Sequence, residues 1–278
     1  MLSIPEAPSA IRKGFPLKNV LGEQALVCLA RNLKTAHGEF TDKAFIDSTL
    51  PKLAPLEFKE RGHCIAQAMK EYLPNNYSEA LAIILKSLTP ANTETEGLGL
   101  AVMFYLPHSC FIERYGLKHD YNAGIDPFDL SMKAQYEITR RFSAEFSIRP
   151  FLIQQQQRTL AVLRCWINDS DPHVRRLCSE GTRPRLPWAQ RIPALVQDPS
   201  PILPLLEILK DDPVLYVRRS VANSLGDIAK DHPSLVFDTC ERWLEGANKE
   251  LKWIIRHALR NPAKKGVERS LELRMAAK

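Results

Sequence analysis

The sequence contains no CxxC pair. Its six cysteines, Cys28, Cys64, Cys110, Cys165, Cys178 and Cys240, are scattered through 278 residues. That spacing excludes a disulfide framework and a zinc ribbon, and it reads the cysteines as small core residues. No apolar run reaches the roughly 18 uncharged residues of a membrane-spanning helix. Met1 to Lys18 carries prolines and charges where a secretory signal needs an apolar block. A soluble, cytoplasmic protein is expected. There is no glycine-rich phosphate loop, no GxSxG elbow and no HExxH, so nucleotide-loop, α/β-hydrolase and zincin chemistries are excluded. The clustered Asp and His ligands of a two-metal nuclease or phosphatase are also missing. Neither a metal nor a cofactor is expected. No segment alternates with period two over a useful length, so a β-sheet is not expected.

What is present is charge and helical periodicity. The formal net charge is +6, and it is unevenly spread: residues 164–278 hold 20 Lys and Arg against 15 Asp and Glu, residues 1–163 hold 18 against 17. The basic C-terminal half suggests a polyanionic partner there.

Apolar residues recur at helical spacing over Leu26, Val27, Leu29, Ala30 and Leu33, over Ile65, Ala66, Met69 and Tyr72, and over Ala80, Leu81, Ile84, Leu85 and Leu88. Pro74-Asn75-Asn76 separates the second helix from the third. Leu98–Leu106 is an apolar run whose neighbours favour helix over strand. The spacing predicts a helix from Ser131 to Phe146, continuing toward Arg149 and stopping at Pro150, with Glu145 and Arg149 four residues apart on one face. The expected organisation is a helical region over residues 1–98, helical repeats over 99–266 and a charged tail over 267–278.

Three later segments look alike: Val174-Arg175-Arg176-Leu177-Cys178-Ser179-Glu180, Val217-Arg218-Arg219-Ser220-Val221-Ala222-Asn223, and Ile254-Ile255-Arg256-His257-Ala258-Leu259-Arg260. They are spaced by 43 and 37 residues, and each follows an apolar helix. Helix pairs at about 40 residues are the mark of HEAT-like repeats, which stack into an all-α superhelix with a concave surface. At about 100° per residue, Arg176, Arg219 and Arg256 fall on one stripe, with Glu180, Asn223, Arg260 and Asp227 beside it. Trp166, Trp243 and Trp253 read as packing residues. His173, His232 and His257 read as surface or capping residues.

Residues 171–188 organise the rest. Asp171 suits the start of a helix, Pro172 its first turn and Gly181 its exit. A loop stiffened by Pro184 and Pro187 then carries Arg183 and Arg185 and ends on Trp188. One reading is a solvated helix face and a proline-rich connection. Another is chemical. Arginines bind phosphates, whereas a carboxylate beside DNA phosphates is costly and needs a cationic target. An N-alkylated base is such a target, and its loss leaves an oxocarbenium-like sugar that a carboxylate stabilises. Trp188 offers a π face to a cationic base or to the sugar. A non-catalytic repeat scaffold that binds DNA or protein would use the same arginines, with the acids incidental.

Glu145-Phe146-Ser147-Ile148-Arg149-Pro150-Phe151, the run Ser179 to Trp188 and the run Ser220 to Pro233 resemble the AlkC branch of the HEAT-like-repeat DNA alkylation-repair glycosylases. The resemblance extends from about Phe15 to Gly266. It implies a superhelix that holds duplex DNA in its concave cleft. It also implies a monomeric, monofunctional enzyme of base excision repair that hydrolyses cationic 3-methyladenine and 3-methylcytosine from DNA. The family's catalytic carboxylates fall on Glu145, Glu180 and Asp227, and its active-site tryptophan on Trp188. The arginines expected at DNA are Arg149, Arg176, Arg183, Arg185, Arg219, Arg256 and Arg260. Many members carry a C-terminal immunoglobulin-like domain, which is not expected before Lys278. Gly226 stands where a bulkier polar residue is expected, at a helix-interior cost of about 1 kcal/mol.

Overall fold

A computed structural model describes residues 2–278. Among these residues there is no β-strand, only one isolated bridge between Arg12 and Phe15. No helix among the described residues is long and apolar enough to cross a membrane. The chain forms two compact units, one running to Ser147 and one from Ile148 to Lys278.

The first unit contains α1 (Glu23–Ala36), α2 (Asp42–Leu53), α3 (Phe58–Tyr72), α4 (Tyr77–Lys86), α5 (Leu106–Tyr115) and α6 (Phe128–Thr139). Asn76 caps α4 by accepting from the amides of Ser78 and Glu79 at 3.0 and 3.3 Å. The apolar run before residue 106 is a 3-10 turn, Ala101–Tyr105, that leads straight into α5. Helices α3 and α5 pack closely because Gly62 has no side chain: a Cβ there would meet Leu106 Cδ2 at 2.9 Å. Helix α2 has a weak sequence signal, because it contains Pro51 and its buried positions, Phe45, Thr49 and Leu53, are few. The expected helix to Phe146 ends early. Arg141 folds back on α6, donating to the Glu137 carbonyl at 2.6 Å and its carboxylate at 2.9 Å, and the chain turns over residues 140–147.

The second unit holds α7 (Arg149–Gln154), α8 (Gln156–Trp166), α9 (Pro172–Glu180), α10 (Pro193–Gln197), α11 (Leu203–Leu209), α12 (Leu215–Ile228), α13 (Pro233–Leu244), α14 (Lys249–Ala258), α15 (Arg260–Lys264) and α16 (Glu268–Ala276). The repeat is present as the pairs α8/α9, α11/α12 and α13/α14. Helices α9, α12 and α14 lie side by side, with α8, α11 and α13 behind them. Val174, Val217 and Ile254, the aligned apolar positions, are all fully buried. Neighbouring repeats are also locked by a fork: Arg175 donates to both oxygens of Asp212 at 2.6 and 3.1 Å. A two-point guanidinium–carboxylate pair of this kind fixes register as well as adding energy.

Gly226 has a packing reason. A Cβ on it would stand 3.3 Å from the Ala258 carbonyl and 4.0 Å from Arg260 Nη1. The glycine lets α12 approach the end of α14. Within the expected charged tail, residues 268–276 form α16, which packs on α13 and α14. Arg256 donates to the Ala277 carbonyl, and Arg274 donates to the Arg256 carbonyl at 2.6 Å.

Candidate active site

Helix α9 begins as its sequence requires. Asp171 accepts from the His173 amide at 2.9 Å, and Pro172 occupies the first turn, where no amide is needed. At the other end Gly181 keeps a helical backbone, so its value is not conformational. A Cβ there would meet Ile148 Cγ2 at 2.8 Å and the Leu177 carbonyl at 2.9 Å. The close packing fixes the exit of the chain into the loop that follows.

That loop is held from within by Arg149, which is 1% exposed. Its guanidinium donates to the carbonyls of Gly181 (3.2 Å), Arg183 (2.9 Å), Pro184 (3.4 Å) and Gln190. A buried loop backbone must have its carbonyls satisfied, and one arginine does this for four of them. The expectation that Arg149 meets DNA phosphates, and shares a helical face with Glu145, is therefore corrected. Its donors are committed to the loop, and the residues between it and α6 are turns.

Pinned in this way, the loop aims Arg183 between two carboxylates. Arg183 Nη1 donates to Glu180 Oε1 at 2.5 Å and Nε donates to Asp227 Oδ2 at 2.7 Å. Ser220 Oγ donates to Glu180 Oε2 at 2.7 Å, and Lys230 Nζ donates to Asp227 Oδ1 at 2.7 Å. Arg176 lies 3.6 Å from Glu180 and stacks over the Tyr216 ring at 4.8 Å. Glu180, Arg183 and Asp227 are 5%, 8% and 3% exposed. Burial alone opposes ionisation of Glu180. The Arg176 and Arg183 charges and the bonds from Ser220 and Arg183 outweigh it and hold the carboxyl below its usual range. Burial likewise opposes the charge on Arg183, but Glu180 and Asp227 raise its pKa above the ordinary value. Arg183 is thus a cation set between two buried carboxyl groups, Glu180 and Asp227.

Trp188 stands at the loop's outer end, 64% exposed, with a left-handed backbone at φ 63°. Such a φ is costly for a bulky residue, and it persists only where the surroundings enforce it. Arg185, next to it, forks onto Asp231 at 2.6 and 2.7 Å and holds that carboxyl below its usual range. The loop is thus tied on one side to Arg149 and on the other to the turn after α12.

The structure brings Glu180, Asp227, Arg176 and Arg183 into one cluster. Arg183, expected at phosphates, is instead the bridge within it. Arg219 is exposed on α12, as a phosphate contact requires. Arg256 is committed to Ala277, so its place on the arginine stripe belongs to packing of α16. Arg260 donates to the His257 carbonyl at 2.6 Å and to Asn223 Oδ1 at 3.1 Å. His257 also bonds Asn223, at 3.2 Å, and stacks on Trp253. Glu145 belongs to the first unit, where Ser143 Oγ donates to it at 2.7 Å. Sequence reasoning missed Ser220, Tyr216, Lys230 and Asp231. A helical wheel cannot see across repeats, although Ser220 and Asp227 share a face of α12.

Elsewhere, in the first unit, His63, Cys110 and Glu113 bring ligand atoms within 4.8 Å of one another. Burial, then Lys59 and Arg114, depress the His63 pKa, and burial holds Cys110 as the thiol. Two cations facing the group oppose a further positive ion, and no metal is assigned to it.

No family model matches the chain. It is 38% identical over 258 residues to the uncharacterized protein YhaZ of Bacillus subtilis (strain 168), spanning 92% of this chain and 67% of that protein. Among solved structures it is similar to the Pseudomonas fluorescens alkylpurine DNA glycosylase AlkC bound to DNA containing an abasic site analog. That match has a TM-score of 0.80 and 36% identity, and it covers 93% of this chain and 67% of the other.

Proposed function

Because the chain belongs to the AlkC family of alkylpurine DNA glycosylases, we propose that it is a DNA glycosylase that hydrolyses alkylated bases from duplex DNA. Its substrates are the cationic lesions 3-methyladenine and 3-methylcytosine. The observation that carries this reading is the buried pair Glu180 and Asp227, held in fixed geometry by Arg183 between them.

The chemistry follows from charge. In a cationic alkylated nucleotide the bond from C1′ to the base nitrogen breaks with both electrons going to the base, which leaves neutral. The positive charge passes to the sugar, where it is shared between C1′ and the ring oxygen. Fixed carboxylates stabilise that charge as it develops, without reorganising at the moment of reaction. Water then adds to C1′ and gives up a proton, for which a carboxylate is the acceptor. Trp188 supplies an aromatic face against the cationic base or sugar. Arg219, Arg176 and Arg260 contact phosphates, which set register on the duplex. The enzyme acts as a cytoplasmic monomer.

The test is to incubate the protein with methylated duplex DNA and identify released bases by mass spectrometry. Free 3-methyladenine is expected, falling by about 100-fold or more in Asp227→Asn and Glu180→Gln. DNA binding with no base released would leave a non-catalytic repeat scaffold. Full activity in both variants would overturn the assignment of the site.

A further inference from the structure

The four oxygens of Glu180 and Asp227 do not face equivalent partners. Three are taken by donors on buried side chains: Arg183 on Glu180 Oε1 and Asp227 Oδ2, and Ser220 on Glu180 Oε2. The fourth, Asp227 Oδ1, is taken by Lys230 Nζ at 2.7 Å, and the Lys230 side chain is 46% exposed. So one of the four positions on the carboxylate pair is filled by a half-exposed cation from the protein itself.

Charge arithmetic gives that ammonium a consequence. The cluster holds two carboxylates and three cations, Arg176, Arg183 and Lys230. Arg260 also lies close enough to act on Asp227 and Arg183, so the two acids are matched by arginines alone and Lys230 adds one further positive charge. A cationic nucleotide entering beside Asp227 meets repulsion as long as Lys230 stays. If the ammonium swings to a nearby DNA phosphate as the lesion arrives, one cation replaces another at Asp227 and the phosphate gains its partner. Lysine suits this exchange. Its charge is a compact point on a flexible stem, not a fork committed to one geometry, and a half-exposed pair of this kind is weakly held. Arg183, forked and buried between both acids, suits the opposite role of staying put.

We propose that Lys230 occupies, in the free enzyme, the place of the lesion's positive charge, and so sets how strongly the site selects charged over neutral nucleotides. The proposal rests on the glycosylase reading above.

The experiment measures binding of the full chain and of Lys230→Met to two duplexes. One carries a cationic pyrrolidine abasic-site analogue and the other a neutral tetrahydrofuran analogue; fluorescence anisotropy is read over a salt series. Lys230 is exposed at the end of α12, and urea unfolding verifies that the variant keeps its stability. Wild type should bind the cationic duplex more tightly. In Lys230→Met that preference should widen by about threefold to tenfold. Affinity for the neutral duplex, on which Lys230 stays with Asp227, should change little, and the salt slope should become shallower by about one on the cationic duplex only. An equal loss for both duplexes would overturn the proposal and make Lys230 a phosphate contact only. A narrowed preference would also overturn it, since Lys230 would then serve to orient Asp227. Wild type with no preference for the cationic duplex would sink the glycosylase site reading itself, and the proposal with it.

Discussion

Arg183 Nε donates to Asp227 Oδ2 at 2.7 Å across two helical repeats, with both side chains buried. The bond ties the loop after α9 to the last turns of α12. Removing the cation leaves Glu180 and Asp227 as like charges in a poorly solvated site. Arg183→Met should destabilise the fold by about 3–5 kcal/mol, the range for breaking a buried pair from one side. Urea denaturation measures this. The double variant Arg183→Met, Glu180→Gln should recover part of the loss, because one of the stranded charges is gone. If the double variant is the sum of its single changes, the two residues are not coupled.

Arg149 gives a separate prediction about the same loop. Arg149→Met keeps much of the volume but strands the carbonyls of Gly181, Arg183, Pro184 and Gln190. A cost of about 2–4 kcal/mol is expected from the unsatisfied groups. Amide exchange over residues 181–190 should accelerate more than exchange in α12. Uniform acceleration across the second unit would mean that Arg149 supports the whole core and not the loop.

These two arginines mark where the sequence could be read and where it could not. The helix pairs, the repeat period and Glu180 and Asp227 were legible because a helix displays its periodicity along the chain. The roles of Arg149 and Arg183 were not. An arginine looks the same in sequence whether it faces phosphate or four loop carbonyls. Which applies depends on contacts 32 to 44 residues away. Gly226 was unexplained for the same reason, since the atom it avoids, the Ala258 carbonyl, is on another helix. Helix α6 was overextended because nothing local to residues 140–146 reveals that Arg141 turns back on Glu137.

Part of the acid sensitivity should arise in the first unit. His108 is 1% exposed in the first unit, and burial depresses its pKa from 6.5 to about 3. The unfolded chain therefore binds a proton near pH 6.5 that the folded chain refuses until about pH 3. Stability is full above the higher value and falls as pH drops between the two, by up to about 1.4 kcal/mol per unit. Glu180 adds loss of the same sign at lower pH, as its depressed folded-state pKa is crossed. Urea midpoints measured from pH 8 to pH 4 should decline below 6.5, and His108→Phe should flatten the upper part of that decline. An unchanged slope in His108→Phe would assign the acid limb to other groups.

Trp188 separates folding from function most cleanly. Its side chain is 64% exposed, so it contributes little burial, while its backbone at φ 63° is one that side chains with a Cβ resist. Glycine has no such penalty. Trp188→Gly should therefore stabilise the protein by about 1 kcal/mol, the lower end of the left-handed cost. A glycine's greater freedom in the unfolded chain offsets part of that gain. Base release from methylated DNA should fall by about tenfold or more in the same variant, since the aromatic face is gone. Trp188→Phe should keep the strain and recover part of the activity. Two measurements decide the matter, the thermal midpoint and the single-turnover rate. If the glycine variant loses stability, the loop depends on the indole for its shape. If it keeps its rate, Trp188 has no part in the chemistry.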